Sequence, residues 1–190
     1  MCHPKAIGIM RVLLGLLLAT LLSVAPVAPP KQATPLQQLF ILKAIYPELG
    51  AVGVMWSKDL PDKEQLLKKI QRAGTSAQVK VVLSELEELR DVPAKFRDMI
   101  REYKINAVWI LRDDELVSHN ISRKFLIEQT TLKGIPLLAP SPQWVEEGAL
   151  CHVALVDGKV KLQVNQQVAM ALNISIPEKY SERTEFLAAR

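Results

Sequence analysis

Apolar positions along this chain alternate between two rhythms, short continuous runs and stretches in which they recur every three or four residues. Leu36, Leu39, Phe40 and Ala44 follow the helical period behind Thr34-Pro35, a pair suited to a helix start, and Pro47 and Gly50 stop it. Ala51-Val-Gly-Val-Met-Trp56 is an unbroken apolar run, the pattern of a parallel strand covered on both faces. A helix is predicted from Asp62 to Ala73, ended by Gly74. A shorter strand follows over Val79–Leu83, nearer an edge because Lys80 interrupts it. Asp91 reads as the cap of a helix with Pro93 in its first turn and Phe96, Met99, Ile100 and Tyr103 on its buried face. Ala107-Val-Trp-Ile-Leu111 reads as a central strand, Ser122–Leu132 as a helix closed by Gly134, and Ile135–Ala139 as a fourth strand.

Strands joined by helices of this length need right-handed crossovers, so the predicted class is α/β: a three-layer αβα arrangement around a mainly parallel, Rossmann-like sheet. Beyond the fourth strand, Asp157-Gly158 separates Cys151–Val156 from Val160–Val164. Glycine accepts positive φ in a tight turn, so these two runs are predicted as a C-terminal hairpin. Sheets of this class bind ligands beyond the carboxyl ends of their strands, where the winding reverses. The loops so placed are Ser57-Lys58-Asp59, Arg112-Asp-Asp-Glu115 and Ser141-Pro-Gln-Trp144.

The N-terminus changes the picture of where such a lobe works. Lys5 and Arg11 precede the apolar stretch Val12–Leu22, and small residues follow at Ser23, Ala25 and Ala28, the layout of a secretory leader; an uncleaved membrane anchor is the alternative. The expected organisation is a leader or anchor over 1–28, a Pro-rich tether over 29–35, one α/β lobe over 36–180 and a tail over 181–190. An exported, periplasmic setting follows. Of 24 basic residues two belong to the leader, and the rest are interspersed with 20 acidic ones, so nucleic acid is not an expected partner. Cys151 would be the single thiol of the mature chain, read as a small core residue, and no internal disulfide is expected.

Reactive constellations are sparse. No Gly-x-Gly-x-x-Gly turn or phosphate-binding loop follows the first strand, and Ser57 and Ser141 lack the spacings that activate a hydroxyl. Asp113-Asp114 has no further carboxylates or histidines clustered with it in sequence and reads as a capping loop. Cys151-His152, adjacent in a strand, point to opposite faces and cannot share a metal ion; His152 is read as a surface residue. No enzyme activity, cofactor or metal is expected.

The segments Tyr46–Ser57, Ala107–Asp114, Ile135–Ser141 and Val145–Leu150, with the tail Leu162–Pro177, resemble in order the ABC-transporter substrate-binding protein family related to binders of tryptophan and other amino acids. The likeness is to the second of that family's two lobes, so a single periplasmic-binding-protein-like lobe is expected. The resemblance implies solute contacts at the carboxyl rim: Asp113 and Ser141 by position, Ser57 after the first strand, with Arg112, Trp56 and Trp144 completing half of a cleft. The two indoles, at strand ends, have packing as their other reading. The implied partner is a small amino-acid-like or aromatic solute, held weakly or shared with a second surface. A membrane transporter, a receptor or a sensor protein could supply that surface, as could a homodimer. A ligand-free protein-interaction module is the alternative reading.

Overall fold

The computed structural model describes residues 31–188, so the expected leader lies outside the described residues. The elements are β1 (Lys31–Gln32), α1 (Pro35–Ile45), β2 (Ala51–Ser57), α2 (Lys63–Ala77), β3 (Lys80–Leu86), α3 (Asp91–Arg101), β4 (Ala107–Trp109) and α4 (Asn120–Lys133). They continue as β5 (Leu137–Ala139), α5 (Pro142–Glu146), β6 (Cys151–Val156), β7 (Lys159–Asn165), α6 (Gln166–Ala171), α7 (Glu178–Ser181) and β8 (Thr184–Leu187).

One sheet runs in the order β3-β2-β4-β5-β6-β7-β8, with β1 pairing antiparallel to β6. The strands from β3 to β6 in that order are mutually parallel, β6 and β7 form the expected hairpin, and β8 returns parallel to β7. Lys80 accordingly sits on an edge strand. Asp157 and Gly158 both take positive φ, 51° and 74°, in the hairpin turn.

Strand parity divides the core. Val52, Val54, Trp56, Trp109, Leu138, Cys151, Val153 and Leu162 face α1, α2 and α6. Ala51, Met55, Val108, Ile110, Leu137 and Ala139 face α3, α4 and α5. Helices on both faces make the three layers. At β6–β7 the second layer thins beyond α5: His152, Ala154, Lys161 and Gln163 have the opposite parity to the Cys151 and Leu162 side, and they line a depression.

Local rules account for the helix ends. Thr34 and Gln37 form a reciprocal capping box at α1. Helix α2 does not stop at Gly74, as expected from sequence, but runs to Ala77 and ends on Gln78 with φ 54°. Gly74 serves close packing instead: a Cβ there would lie 2.6 Å from Val81 Cγ2 and 3.0 Å from the Val79 carbonyl oxygen. Asp91 does not cap α3; its Oδ2 accepts from the Glu87 and Glu88 amides at 2.8 and 3.0 Å and closes the preceding turn. Those two amides hold its carboxyl below the usual range. Tyr103 lies past α3, half exposed beside Lys80 rather than on a buried helix face.

Residues 31–32, within the expected tether, and 184–187, within the expected tail, each add a strand. The tie to β1 runs through the buried Gln38 side chain and the exposed Gln32. Trp109 Nε1 donates to Gln38 Oε1 at 2.7 Å, Gln38 Nε2 donates to the Ala33 carbonyl at 2.8 Å, and Gln32 Nε2 donates to the Leu111 carbonyl.

Candidate functional site

The chain proceeds from β2 outward to β3, then crosses back to β4 on the other side of β2, so the winding reverses between β2 and β4. At the carboxyl end of that junction Asp114 gathers the loops. Its Oδ1 accepts from Ser57 Oγ at 2.8 Å, Leu116 N at 3.0 Å and Val117 N at 2.8 Å, while Oδ2 accepts from Ser57 N at 3.2 Å. Ser57 is therefore occupied with holding the β4 loop. Above this tie lies an open cleft of about 400 Å³ that includes Ser57, Asp59, Glu87, Arg112, Asp113 and Glu115, a mainly acidic wall with one cation.

Arg112 and Asp113 form the ridge between that cleft and a second of about 370 Å³ over β5, β6 and β7. Asp113 Oδ1 accepts from Ser118 Oγ at 2.8 Å and from Trp144 Nε1 at 3.0 Å, which fixes the carboxylate at the boundary. Ser141 opens α5 without giving its side chain to the helix cap, so its hydroxyl stays available to the second cleft. Lys161 projects from β7 into the same space and pairs with Glu185 at 2.8 Å.

Of the six residues selected from sequence, Ser57, Arg112, Asp113 and Ser141 converge on this rim. Trp56 and Trp144 do not reach either cleft; they are 4% and 0% exposed and belong to opposite core layers. Trp56 shares the parity of Val52 and Val54, which turns its indole under α1 and α2. Trp144 acts from beneath through Asp113, with the Arg123 guanidinium 6.0 Å over its ring.

Sequence reading missed His152. Expected at the surface, it is 7% exposed, on the floor of the second cleft. Its Nδ1 lies 3.1 Å from the Ala139 carbonyl. Burial lowers the imidazole pKa below its ordinary 6.5, against the raising effects of that carbonyl and the Asp113 charge. A carbonyl only accepts, so Nδ1 carries the proton and Nε2 keeps its lone pair. Gln32 was missed as well, because its place at the cleft depends on β1 pairing with β6. Cys151 is buried as expected, and burial pushes its thiol up to about 12. Among the described residues, no three His, Cys, Asp or Glu side chains are grouped to hold a metal ion.

An imidazole, a carboxylate, a hydroxyl and two cations thus meet at the rim of an α/β lobe of the periplasmic-binding type. The chain belongs to the ABC transporter substrate binding protein family, whose sequence model matches residues 30–173. That family consists of non-enzymatic binders of small solutes, typically exported or periplasmic. No curated protein sequence matches the chain.

Solved structures show the same fold. An ABC domain from Streptococcus pneumoniae in complex with L-Trp superposes with a TM-score of 0.68 at 16% identity, over 83% of this chain and 62% of that one. A conserved domain protein from Vibrio cholerae gives 0.67 at 16%, over 84% and 61%. A ligand-free, open substrate binding protein with adhesive properties from Clostridium difficile gives 0.64 at 18%, over 81% and 59%. The chain thus spans about three-fifths of the length of the structures it matches. No helix among the described residues is long and apolar enough to cross a membrane.

Proposed function

We propose that this lobe supplies one wall of a solute cleft, recognising a small amino-acid-like or aromatic solute with its carboxyl rim and transforming nothing. The observation that carries the reading is the convergence of Arg112, Asp113 and Ser141 on one open depression at the end of the sheet where this fold class takes its ligands. A cation, a carboxylate and a neutral hydroxyl match the two charged ends and a polar edge of a zwitterion. Good small-molecule sites enclose about 70–90% of a ligand. An open rim encloses much less, so the lobe acting alone binds in the range of about 1 mM, near −4 kcal/mol. Tight binding needs a second surface, contributed by a transporter, receptor or sensor protein or by a second copy.

The L-Trp held by the Streptococcus pneumoniae structure puts aromatic amino acids first among the solutes to screen. The NMR shift of the Trp144 indole N–H is a suitable readout, because that N–H donates to Asp113, senses any ligand that draws on the carboxylate and is not obscured by an aromatic solute's own emission. Titration of a panel of L-amino acids and aromatic acids should give a saturable change for at least one member. Arg112→Ala and Ser141→Ala should each weaken it several-fold. A flat response to the entire panel up to 20 mM, roughly twenty times the expected dissociation constant, would sink the solute reading in favour of a lobe whose rim serves only a protein partner.

A further inference from the structure

We propose that His152 is a specificity-determining residue of the β5–β7 cleft, its Nε2 accepting a hydrogen bond from an N–H of the bound solute. This rests on the solute-binding reading above and names the chemistry that the cleft selects: an ammonium or ring N–H donor carried by a small zwitterion.

The geometry makes His152 a fixed acceptor. The residue is 7% exposed and its Nδ1 is anchored, so the ring is held in one place on the cleft floor. The Ala139 carbonyl 3.1 Å from Nδ1 sets the tautomer, and no described residue is paired with Nε2. Nε2 is not one of the sealed, unsatisfied polar atoms of the core, so it opens onto the cleft, where a solute N–H can take the place of water. The ring is one of the residues lining that cleft.

The surroundings decide what satisfies it. Asp113, from the β4 loop, offers the nearest negative charge, and its attraction is felt at the imidazole. Arg112 and Lys161 are the cations of the same cleft, and Glu185, from β8, is engaged with Lys161 and Gln163. A donor N–H therefore meets two acceptors, Nε2 and the Asp113 carboxylate, while Arg112 and Lys161 suit a carboxylate at the other end. A solute offering only acceptors to His152 would meet a lone pair and be rejected.

Two substitutions separate this role from a structural one. In His152→Asn the amide Nδ2 replaces Nδ1 and keeps the bond to Ala139, but nothing remains at the Nε2 position. In His152→Gln the amide end reaches the Nε2 position and can present an acceptor. Calorimetric titration of the full chain with the L-amino acid panel, and with the matching des-amino acids as controls, should show affinity falling about tenfold or more in the Asn variant, the loss expected of one hydrogen bond to a charged donor. Gln should restore part of it, and the des-amino controls should bind weakly to all three proteins. Acidification should weaken wild-type binding as His152 takes up its second proton and becomes a donor, and should act much less on the Gln variant.

Equal affinities for wild type and the Asn variant, with binding still weakened by Arg112→Ala, would overturn the His152 assignment and leave the rim reading standing. Failure of the wild-type chain to bind any panel member would overturn both. Circular dichroism and a urea midpoint for each variant confirm that folded protein is compared.

Discussion

Replacing Asp114 by Ala removes the knot that joins the two halves of the sheet at the reversal point. The carboxylate accepts four bonds, from the Ser57 hydroxyl and amide and from the Leu116 and Val117 amides, all between 2.8 and 3.2 Å. A hydrogen bond to a charged group is worth about 1.5–3 kcal/mol. Bonds sharing one carboxylate are not additive, and water can reach donors in this part-buried loop once the carboxylate is gone. The expected loss is therefore about 3 kcal/mol, not four times the single value. For a domain of this size that lowers Tm by roughly 6–12 °C.

Asp114→Asn retains an acceptor for Leu116 and Val117 but turns an N–H toward Ser57, and should cost about half as much. Urea unfolding should show lower midpoints with an unchanged slope, since the surface exposed on unfolding is the same. Amide exchange at Ser57, Leu116 and Val117 should accelerate beyond the global change. An Asp114→Ala midpoint within error of wild type, or exchange at those amides no faster than in the rest of the sheet, would refute the claim that this carboxylate organises the rim.

Trp109→Phe breaks the bond to Gln38 and leaves a buried amide oxygen unsatisfied; about 2–3 kcal/mol of stability should be lost in urea titrations. A Trp109→Phe midpoint within error of wild type would contradict the satisfaction argument. In a chain carrying Cys2→Ser, Cys151 should react with a thiol reagent at pH 8 only as fast as the protein unfolds, because burial holds the thiol protonated up to about 12. Labelling in the folded state at the rate of a free thiol would disprove that. The folded pKa of His152 lies below 6.5, so its share of stability is complete above 6.5 and lost as pH falls through the folded value. Glu185, held below 4.5 by bonds from Lys161 and Gln163, adds a second loss once pH drops below 4.5. Urea midpoints should therefore decline steadily from pH 7 toward 4, with the upper part of the decline missing in His152→Asn, and a midpoint that rises on acidification would refute both assignments.

Much of the fold was legible because period and parity are local properties. β2 and β4 read as buried strands from uninterrupted apolar runs, and Lys80 marked β3 as an edge. The turn at Asp157-Gly158 announced the hairpin because positive φ is a backbone demand that few residues meet. Other features were illegible for a physical reason. Gly74 reads locally as a helix stop, yet its role is set by Val81 on a neighbouring strand. Lys31–Gln32 is a strand only because β6 offers it a partner, and Thr184–Leu187 is short and carries Glu185 outward to Lys161.

The rim divides along the same line. The loops that carry Ser57, Arg112, Asp113 and Ser141 could be placed from sequence because strand order and direction decide which loops meet at the carboxyl edge, while Asp113 and Ser141 were singled out within them by the family resemblance. The indoles could not, although counting parity from Val52 would have turned Trp56 into the core with its neighbours. His152 poses the harder problem. Parity sets it on the face opposite Cys151, but whether that face meets solvent, a helix or a cleft depends on where α5 stops covering the hairpin. That boundary is decided between elements far apart in the chain. It is also where an imidazole can be largely buried and still face a cleft, so the least legible residue of the rim is the one to which we assign selectivity.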